Sequence, residues 1–357
     1  MKIVRIVNSL DFGGVEKVFE VVASYYSGDK ESLVFIALGS GGRAADFIAS
    51  LGYRVIILGL SPVIPNFRAI RKLYSIFQRE RPDIIHACGA EGNFHGLIAA
   101  WLARVPVRIG EEIGMPSHST MAKIIFSLVY GRATRVIAVA SSVRDYLIKT
   151  GEVAERKVAL VYNPVDINKF STQDSREHSN EFVLLTVCRL HPIKNLAMLI
   201  TCIHQLVPEY DNLRLWIVGD GGIRQDLEAL VKSLKLEKYV IFYGFQADPS
   251  PFFAKADGFV LPSLSEGHPV SLVEAMVSGV PSIVTQVGGA PEIIRERESG
   301  WLINPHDART IVKAIRELLG INPQDRKKLV EGARMYATEH FSPKAYFTEL
   351  ERLYQSI

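Results

Sequence analysis

Residues 262–282 read PSLSEGHPVSLVEAMVSGVPS, and two glutamates in this stretch, Glu266 and Glu274, stand eight positions apart. A Gly-His-Pro break follows the first, and an apolar helical pattern carries the second. Pro269 fits the first turn of a helix, where its missing N–H is not needed. The next amides, of Val270 and Ser271, then point out of a positive helix end and form a seat for a diphosphate. Carboxylates do not serve an anion directly, so the two acids must address other parts of such a ligand. Glu274, near the second turn, suits the vicinal diol of a ribose, because a carboxylate accepts two hydroxyl protons. Glu266, in the loop, then faces a second polyol across the diphosphate. Taken alone, either glutamate reads as a solvated charge; the break, the proline, the helix start and the spacing together favour the ligand.

Similar chemistry recurs at other strand ends. In VCRLHPIKN, Arg189 closes an apolar run and Lys194 opens the next helix. An arginine fork and a lysine point charge at one junction can hold a diphosphate from two sides. Gly13-Gly14 precede a helix beginning near Val15, where glycines let a ligand approach the backbone. The pattern is not Gly-x-Gly-x-x-Gly, so a nicotinamide dinucleotide is disfavoured, and a plain tight turn is an equal reading. Gly219 and Gly221-Gly222 form another close-approach turn. The backbone of FYGF, with Gly244 and Phe245, can meet the edge of a nucleobase.

Strands and helices in alternation must position these residues. Val- and Ile-rich runs at 2–7, 32–38, 54–58, 83–87, 107–111, 135–140 and 158–163 predict strands, with helix-length segments such as 15–26, 66–79 and 141–149 between them. The pattern restarts with strands at 182–189, 213–220, 240–244, 258–262, 281–285 and 300–303, and helices near 195–207, 222–235, 249–255 and 270–278. Continuous apolar strands alternating with helices predict parallel sheets buried on both faces. The polar stretch 166–181 separates the halves. The predicted fold class is α/β: two doubly wound Rossmann-like domains, 1–165 and 166–342, facing a central cleft, with ligands beyond the carboxyl ends of the strands. The last stretch, 305–357, reads as three helices; Asp307 and Pro323 begin two of them, and Gly320 ends the first.

Composition excludes several classes. The 357 residues are 48% hydrophobic and 22% charged, an ordinary globular balance with core enough for two domains. A net charge of +3 gives no sign of a nucleic-acid binder. Cys88, Cys188 and Cys202 form no CxxC and read as free, buried thiols of a reducing compartment. MKIVRIVNSLDFGG is too short and too interrupted for a signal peptide, and no run of roughly 18 apolar residues offers a membrane span. The expected location is the cytoplasm. The apolar segments 95–103 and 123–130 read as buried helices.

The blocks GGVEKV (13–18), VIAVASSVRDYL (136–147), VYNPVD (161–166), CRLHPIKN (188–195), IVGDGGIRQDLE (217–228), ADGFVLPSLSEGHPVSLVEAM (256–276) and GGAPEII (288–294) resemble the retaining GT-B glycosyltransferases. The resemblance is to glycosyltransferase family 4 and covers nearly the whole chain. Glutamate, seven residues, glutamate is that family's donor-site signature, and Glu266 and Glu274 match it. The resemblance implies transfer of a hexosyl or N-acetylhexosaminyl group from a nucleotide sugar, most commonly UDP-linked, to a hydroxyl of a saccharide or lipid-linked saccharide. The setting it implies is surface polysaccharide biosynthesis. It implies that Arg189 and Lys194 bind the diphosphate, Glu274 the ribose and Glu266 the transferred sugar, with Gly13-Gly14 near the donor phosphates or sugar. Domain 1–165 would take the acceptor and 166–342 the donor, with the last helix, 343–357, packing back on the first domain. Charge building on the leaving diphosphate would be stabilised by Arg189, Lys194 and the helix start. No Asp-x-Asp occurs, so neither a metal nor a cofactor is expected. Many members carry a histidine after the fifth strand; RIGEEIGMPSH here holds Ile113 at that place. Glu111, Glu112, His118 and His86 are therefore the candidate bases or acceptor contacts.

A basic stretch, 66–83, sets Arg68, Arg71, Lys72, Arg79 and Arg81 around Phe67, Leu73 and Phe77. It suits the inner face of an anionic membrane or, equally, a solvated helix face. Two other readings share the architecture. A nucleotide-sugar 2-epimerase needs no acceptor and is disfavoured by the Glu266/Glu274 block. A non-catalytic binding protein is disfavoured by the intact set of Arg189, Lys194, Glu266 and Glu274.

Overall fold

A strand that is apolar at every position has no side to give to water, so it must lie between two layers of helices. β1 (Ile3–Val7) and β2 (Leu33–Ala37) are of this kind and are buried throughout. The computed structural model describes residues 1–170 and 180–356. It divides into two units, Met1–Pro164 with the segment from Pro343 onward, and Val165–Ser342.

The first unit continues from β1 and β2, with α1 (Gly14–Tyr25) between them, through α2 (Arg43–Ser50), β3 (Arg54–Ile57), α3 (Phe67–Glu80), β4 (Ile84–Cys88) and α4 (Gly89–Leu102). Then come β5 (Val107–Glu112), α5 (Thr120–Gly131), β6 (Arg135–Ala138), α6 (Ser141–Lys149) and β7 (Val158–Leu160). Its sheet is ordered β3-β2-β1-β4-β5-β6-β7, and every recorded pair is parallel. The order reverses between β1 and β4, which makes the carboxyl ends of those strands the crevice of this unit.

The second unit runs α7 (Ile167–Phe170), β8 (Phe182–Val187), α8 (Leu196–Leu206), β9 (Leu213–Val218), α9 (Arg224–Ser233), β10 (Val240–Gly244) and α10 (Ser250–Lys255). It continues with β11 (Gly258–Leu261), α11 (Val270–Val277), β12 (Ser282–Thr285), α12 (Ala290–Ile293), β13 (Gly300–Ile303), α13 (Ala308–Leu319) and α14 (Pro323–Phe341). Its parallel sheet is ordered β10-β9-β8-β11-β12-β13, with the reversal between β8 and β11. The caps follow the sequence signals. Asp307 accepts the Arg309 amide at the start of α13, Gly320 ends it, and Asn322-Pro323 open α14. The chain then returns to the first unit as α15 (Pro343–Gln355).

Three expectations need correction. The polar junction expected at 166–181 begins as α7, whose Phe170 is buried and sits edge-on to Phe253; residues 171–179 lie outside the described residues. In α3, Leu73 and Phe77 are buried in the first core, so they are not available to a membrane. In α5 only Phe126, Val129 and Tyr130 are buried, because the helix packs one side on the unit and turns a second apolar side outward.

Candidate active site

β8 and β11 lie side by side where the strand order reverses, with Gly258 beside Leu184 and Phe259 beside Leu185. The loops that leave their carboxyl ends carry Lys194 and Glu266. After β8 the chain makes a single 3₁₀ turn, Pro192–Lys194, opened by His191, whose ring accepts the Ile193 N–H. Asn195 leaves the turn with φ 54° and donates to the Pro305 carbonyl at 3.0 Å. The loop after β11 is tied to its neighbours on both sides. The Leu264 N–H donates to the Ile193 carbonyl at 2.8 Å, and the Thr285 hydroxyl donates to the Ser263 carbonyl at 2.6 Å. Between these ties Lys194 Nζ meets Glu266 Oε1 at 2.6 Å, with both side chains largely shielded. Hydrogen bonds thus hold the two loops on either side of the ion pair.

Two glycines set how closely the loops approach. Gly288 (φ 55°) presses on the acid's own backbone; a Cβ there would lie 1.7 Å from the Glu266 carbonyl oxygen. Gly219 (φ 137°) does the same beneath the β8 loop, where a Cβ would lie 1.8 Å from the Cys188 carbonyl oxygen. Its N–H donates to the Gly244 carbonyl at 2.8 Å, so the ends of β8, β9 and β10 are joined. Cys188 sits beside Lys194 and Glu266, and burial pushes its thiol up to about 11.

Pro269 caps α11, and the Leu272 N–H is the first to turn back to its carbonyl, at 3.1 Å. The amides of Val270 and Ser271 precede that bond and are left for a ligand at the positive helix end. Glu274 is buried on the following turn. His268 packs against Phe341 at 5.0 Å between ring centroids, and burial lowers its pKa to about 3, so its imidazole is neutral. Arg189 is exposed and makes no ion pair with a described residue, so Lys194 meets Glu266 without it. Phe245, just past Gly244, is exposed at the end of β10. In the first unit Gly13 caps α1 and Gly14 begins it, both exposed beyond β1.

The other sequence candidates form two buried clusters in the first unit. Register places Arg5 beside His86 and Cys88 beside Glu111. Arg5 donates to the Tyr346 hydroxyl at 2.8 Å and pairs with Glu111 Oε2 at 3.3 Å, its guanidinium 4.9 Å from the Phe19 ring centre. Burial and Arg5 hold His86 below its ordinary pKa, so the neutral ring donates from Nε2 to Glu111 at 2.7 Å and accepts the Tyr354 hydroxyl at Nδ1, 3.1 Å away. Burial opposes ionisation of Glu111, but His86, Arg5 and Cys88 outweigh it and bring its pKa to about 2. Among the described residues, His86, Cys88 and Glu111 are the one group close enough to hold a metal ion, their ligand atoms within 4.8 Å. The Arg5 guanidinium already neutralises the same Glu111 oxygen, so the cation of this cluster is an arginine.

Glu112, the next residue, enters the opposite face of the sheet, takes the Tyr130 hydroxyl, and has its pKa raised by burial to about 7. His118 is held at Nδ1 by buried Glu152 at 2.7 Å and stacks on Phe126 at 4.4 Å. His86, Glu111 and Glu112 are thus internal partners with no free face for an acceptor, and His118 is pinned. Of these candidates for base or acceptor contact, His86, Glu111 and Glu112 are buried and His118 is partly exposed. Arg5, Tyr346, Tyr354 and Glu152 escaped the sequence reading. The one available signal was a charge at Arg5 inside an otherwise apolar strand, which a buried partner must satisfy.

Residues 12–169 match the profile of glycosyltransferase family 4, and residues 168–336 that of glycosyl transferases group 1. The chain belongs to the GT-B glycosyltransferases related to family 4. Among relatives of this glycosyltransferase is the UDP-Gal:alpha-D-GlcNAc-diphosphoundecaprenol alpha-1,3-galactosyltransferase of Escherichia coli, 29% identical over 76% of each chain. Another is the N-acetyl-alpha-D-glucosaminyl L-malate synthase of Bacillus anthracis, 27% identical over 80% of this chain and 78% of that one. The fold is that of Anabaena Alr3699/HepE, solved with UDP and glucose, at a TM-score of 0.87, 22% identity and full coverage of both chains. The lipopolysaccharide outer core galactosyltransferase WaaB superposes at a TM-score of 0.76, with 20% identity and full coverage of both.

Proposed function

We propose that this glycosyltransferase moves a hexosyl or N-acetylhexosaminyl group from a UDP-sugar to a hydroxyl of a lipid-linked saccharide, with retention of configuration. The observation that carries this reading is the Lys194–Glu266 pair beside the start of α11. Lys194 and the Val270 and Ser271 amides face the donor diphosphate, and exposed Arg189 folds over it when it binds. Glu274 holds the ribose, Glu266 turns to the transferred sugar, and Gly244 with Phe245 borders the base. Gly219 lets the β9 loop lie close beneath. As the sugar–oxygen bond to the diphosphate breaks, the acceptor oxygen attacks the same face of the anomeric carbon and its proton passes to the departing diphosphate. That route needs no separate base, since the departing diphosphate takes the proton. Removing one donor that stabilises the leaving charge costs about 2.7–4 kcal/mol in comparable sites.

The relatives support the substrate class: the Escherichia coli relative acts on a diphosphoundecaprenol-linked sugar, and the Anabaena structure holds UDP and glucose. A lipid-linked acceptor places the reaction in the cytoplasm at the inner face of a membrane, in the assembly of a surface polysaccharide. Incubation with a panel of UDP-sugars and a diphospholipid-linked acceptor, followed by UDP release and product NMR, tests the reading. Lys194→Ala and Glu266→Ala should each lower kcat by about 10²–10³, and the product linkage should keep the donor's anomeric configuration. Unchanged transfer in both variants would refute the site; an epimerised donor formed without acceptor would refute the reaction.

A further inference from the structure

Arg224 opens α9 and stands apart from the residues assigned to the donor. Its side chain is clamped between a loop and its own helix. Nε donates to Glu228 Oε1 at 2.8 Å, and Nη1 donates to Asp220 Oδ2 at 3.0 Å. Asp220 belongs to the loop after β9, and its carbonyl accepts the Leu190 N–H at 2.9 Å. Leu190 lies between Arg189 and Lys194, so the clamp on Arg224 is continuous with the loop that carries Lys194. The same Nη1 lies over the backbone of Gly244, where φ is 68°; a Cβ on that glycine would stand 3.2 Å from it. Gly244 ends β10 at a break in the β9–β10 register, and Phe245 after it is exposed. The Arg224 side chain itself is 33% exposed, so a ligand can reach it.

Charge and donor count select what Arg224 meets. Two of its five N–H groups are taken by the carboxylates, and the other three have no partner among the described residues. Asp220 and Glu228 together outweigh the one guanidinium charge, so the group is a poor counter-ion for a diphosphate. A neutral carbonyl suits it, since arginine offers donors and no acceptor. Gly244 with Phe245 borders the base in the donor reading, so the carbonyl at hand is an exocyclic oxygen of that base. We infer that Arg224 is a specificity-determining residue of the donor site, which donates to the base carbonyl and selects an oxo base such as uracil over an amino base such as cytosine. A cytosine amino group would face the guanidinium N–H against N–H, and neither donor would be satisfied. The two carboxylates hold the fork in place without a nucleotide, so little rotamer freedom is lost on binding. The inference rests on the donor site proposed above, but Lys194 and Arg224 address different parts of the nucleotide and are tested separately.

Isothermal titration calorimetry of the full chain with UDP and with CDP reads the selection, because the two ligands share ribose and diphosphate and differ in the base. The wild type should bind UDP at least about tenfold more tightly than CDP, the effect of leaving a shielded donor unpaired. Arg224→Met keeps an unbranched side chain and removes its donors. It should weaken UDP about tenfold, leave CDP nearly unchanged and so erase the preference. Arg224→Lys keeps a charge between Asp220 and Glu228 without the fork; it should lose most of the preference too, and it serves if the methionine variant fails to fold. An arginine with a merely structural role would weaken both ligands alike. The inference is overturned by a wild type that binds both equally, by a UDP-to-CDP ratio that neither variant changes, or by equal weakening of both ligands. Lys194→Ala should weaken UDP and CDP alike and keep their ratio. UDP binding that Lys194→Ala leaves intact, or no UDP binding by the wild type, sinks the donor site and this inference with it. Affinity lost in Lys194→Ala with a ratio unmoved by Arg224→Met sinks the role of Arg224 alone.

Discussion

Glu111 and Glu112 follow each other on β5, so their side chains leave opposite faces of the sheet. On one face Glu111 finds Arg5 and His86; on the other Glu112 finds the hydroxyl of Tyr130 and the amide of Asn93. Burial acts against both charges, and only the first has a cation in contact to overcome it. Their pKa values part to about 2 and about 7 around an ordinary value of 4.5. The stability effects therefore have opposite signs. Glu111 contributes stability above pH 4.5 that is lost as pH falls towards 2. Glu112 is bound to its proton more tightly in the folded chain, so stability is lost as pH rises from 4.5 to 7. Glu112→Gln should remove that second slope, and urea melts at pH 5 and 8 should show the variant gaining on the order of 2 kcal/mol over the wild type between them. Gly288 makes a different demand. Gly288→Ala should lower both melting temperature and nucleotide affinity, because the Cβ meets the Glu266 carbonyl, while Gly222→Ala, with nothing within 4 Å, serves as control. Fluorescence titration with UDP separates the two variants. At this scale the Glu-Gly-His-Pro break and the two glutamates were legible in the sequence. The partnership of Lys194 with Glu266 was not, because the residues lie 72 positions apart and meet only through strand pairing.

At the scale of elements, α15 is held by its polar contacts as well as its apolar side. Tyr346 and Tyr354 reach the Arg5 and His86 cluster, while Leu350 and Leu353 are buried beside them. Tyr346→Phe keeps the ring and removes the acceptor of a buried guanidinium. It should cost about 1.5–3 kcal/mol, the range for a hydrogen bond to a charged group, read by urea unfolding. Helix and strand positions were legible from period and caps. The outer face of α5 was not, since an apolar run reads as burial whichever surface covers it. For α3 the sequence left two readings equal, a membrane face and a solvated face packed by its apolar side; Leu73 and Phe77 belong to the core, as the second requires.

For the molecule as a whole, the alternation of apolar strands and helices predicted two parallel sheets, and each unit has one with a reversal in strand order. The donor reading predicts a linkage effect. A nucleotide that binds only the folded chain should raise stability by about 2.7 kcal/mol when present at a hundred times its Kd. Differential scanning calorimetry with UDP and with uridine should show the larger shift for UDP, since the diphosphate is what Lys194 and α11 address; equal shifts would count against that assignment. The return of α15 to the first unit has a further consequence, for synthesis. A chain emerging from the ribosome presents Arg5 early and Tyr346 only after the whole second unit has been made. Domains tend to fold in the order in which they are completed. The second unit, Val165–Ser342, is continuous in the chain and is complete before the first, whose buried arginine waits for the last helix to arrive. The part of the protein translated first is thus the last to be finished.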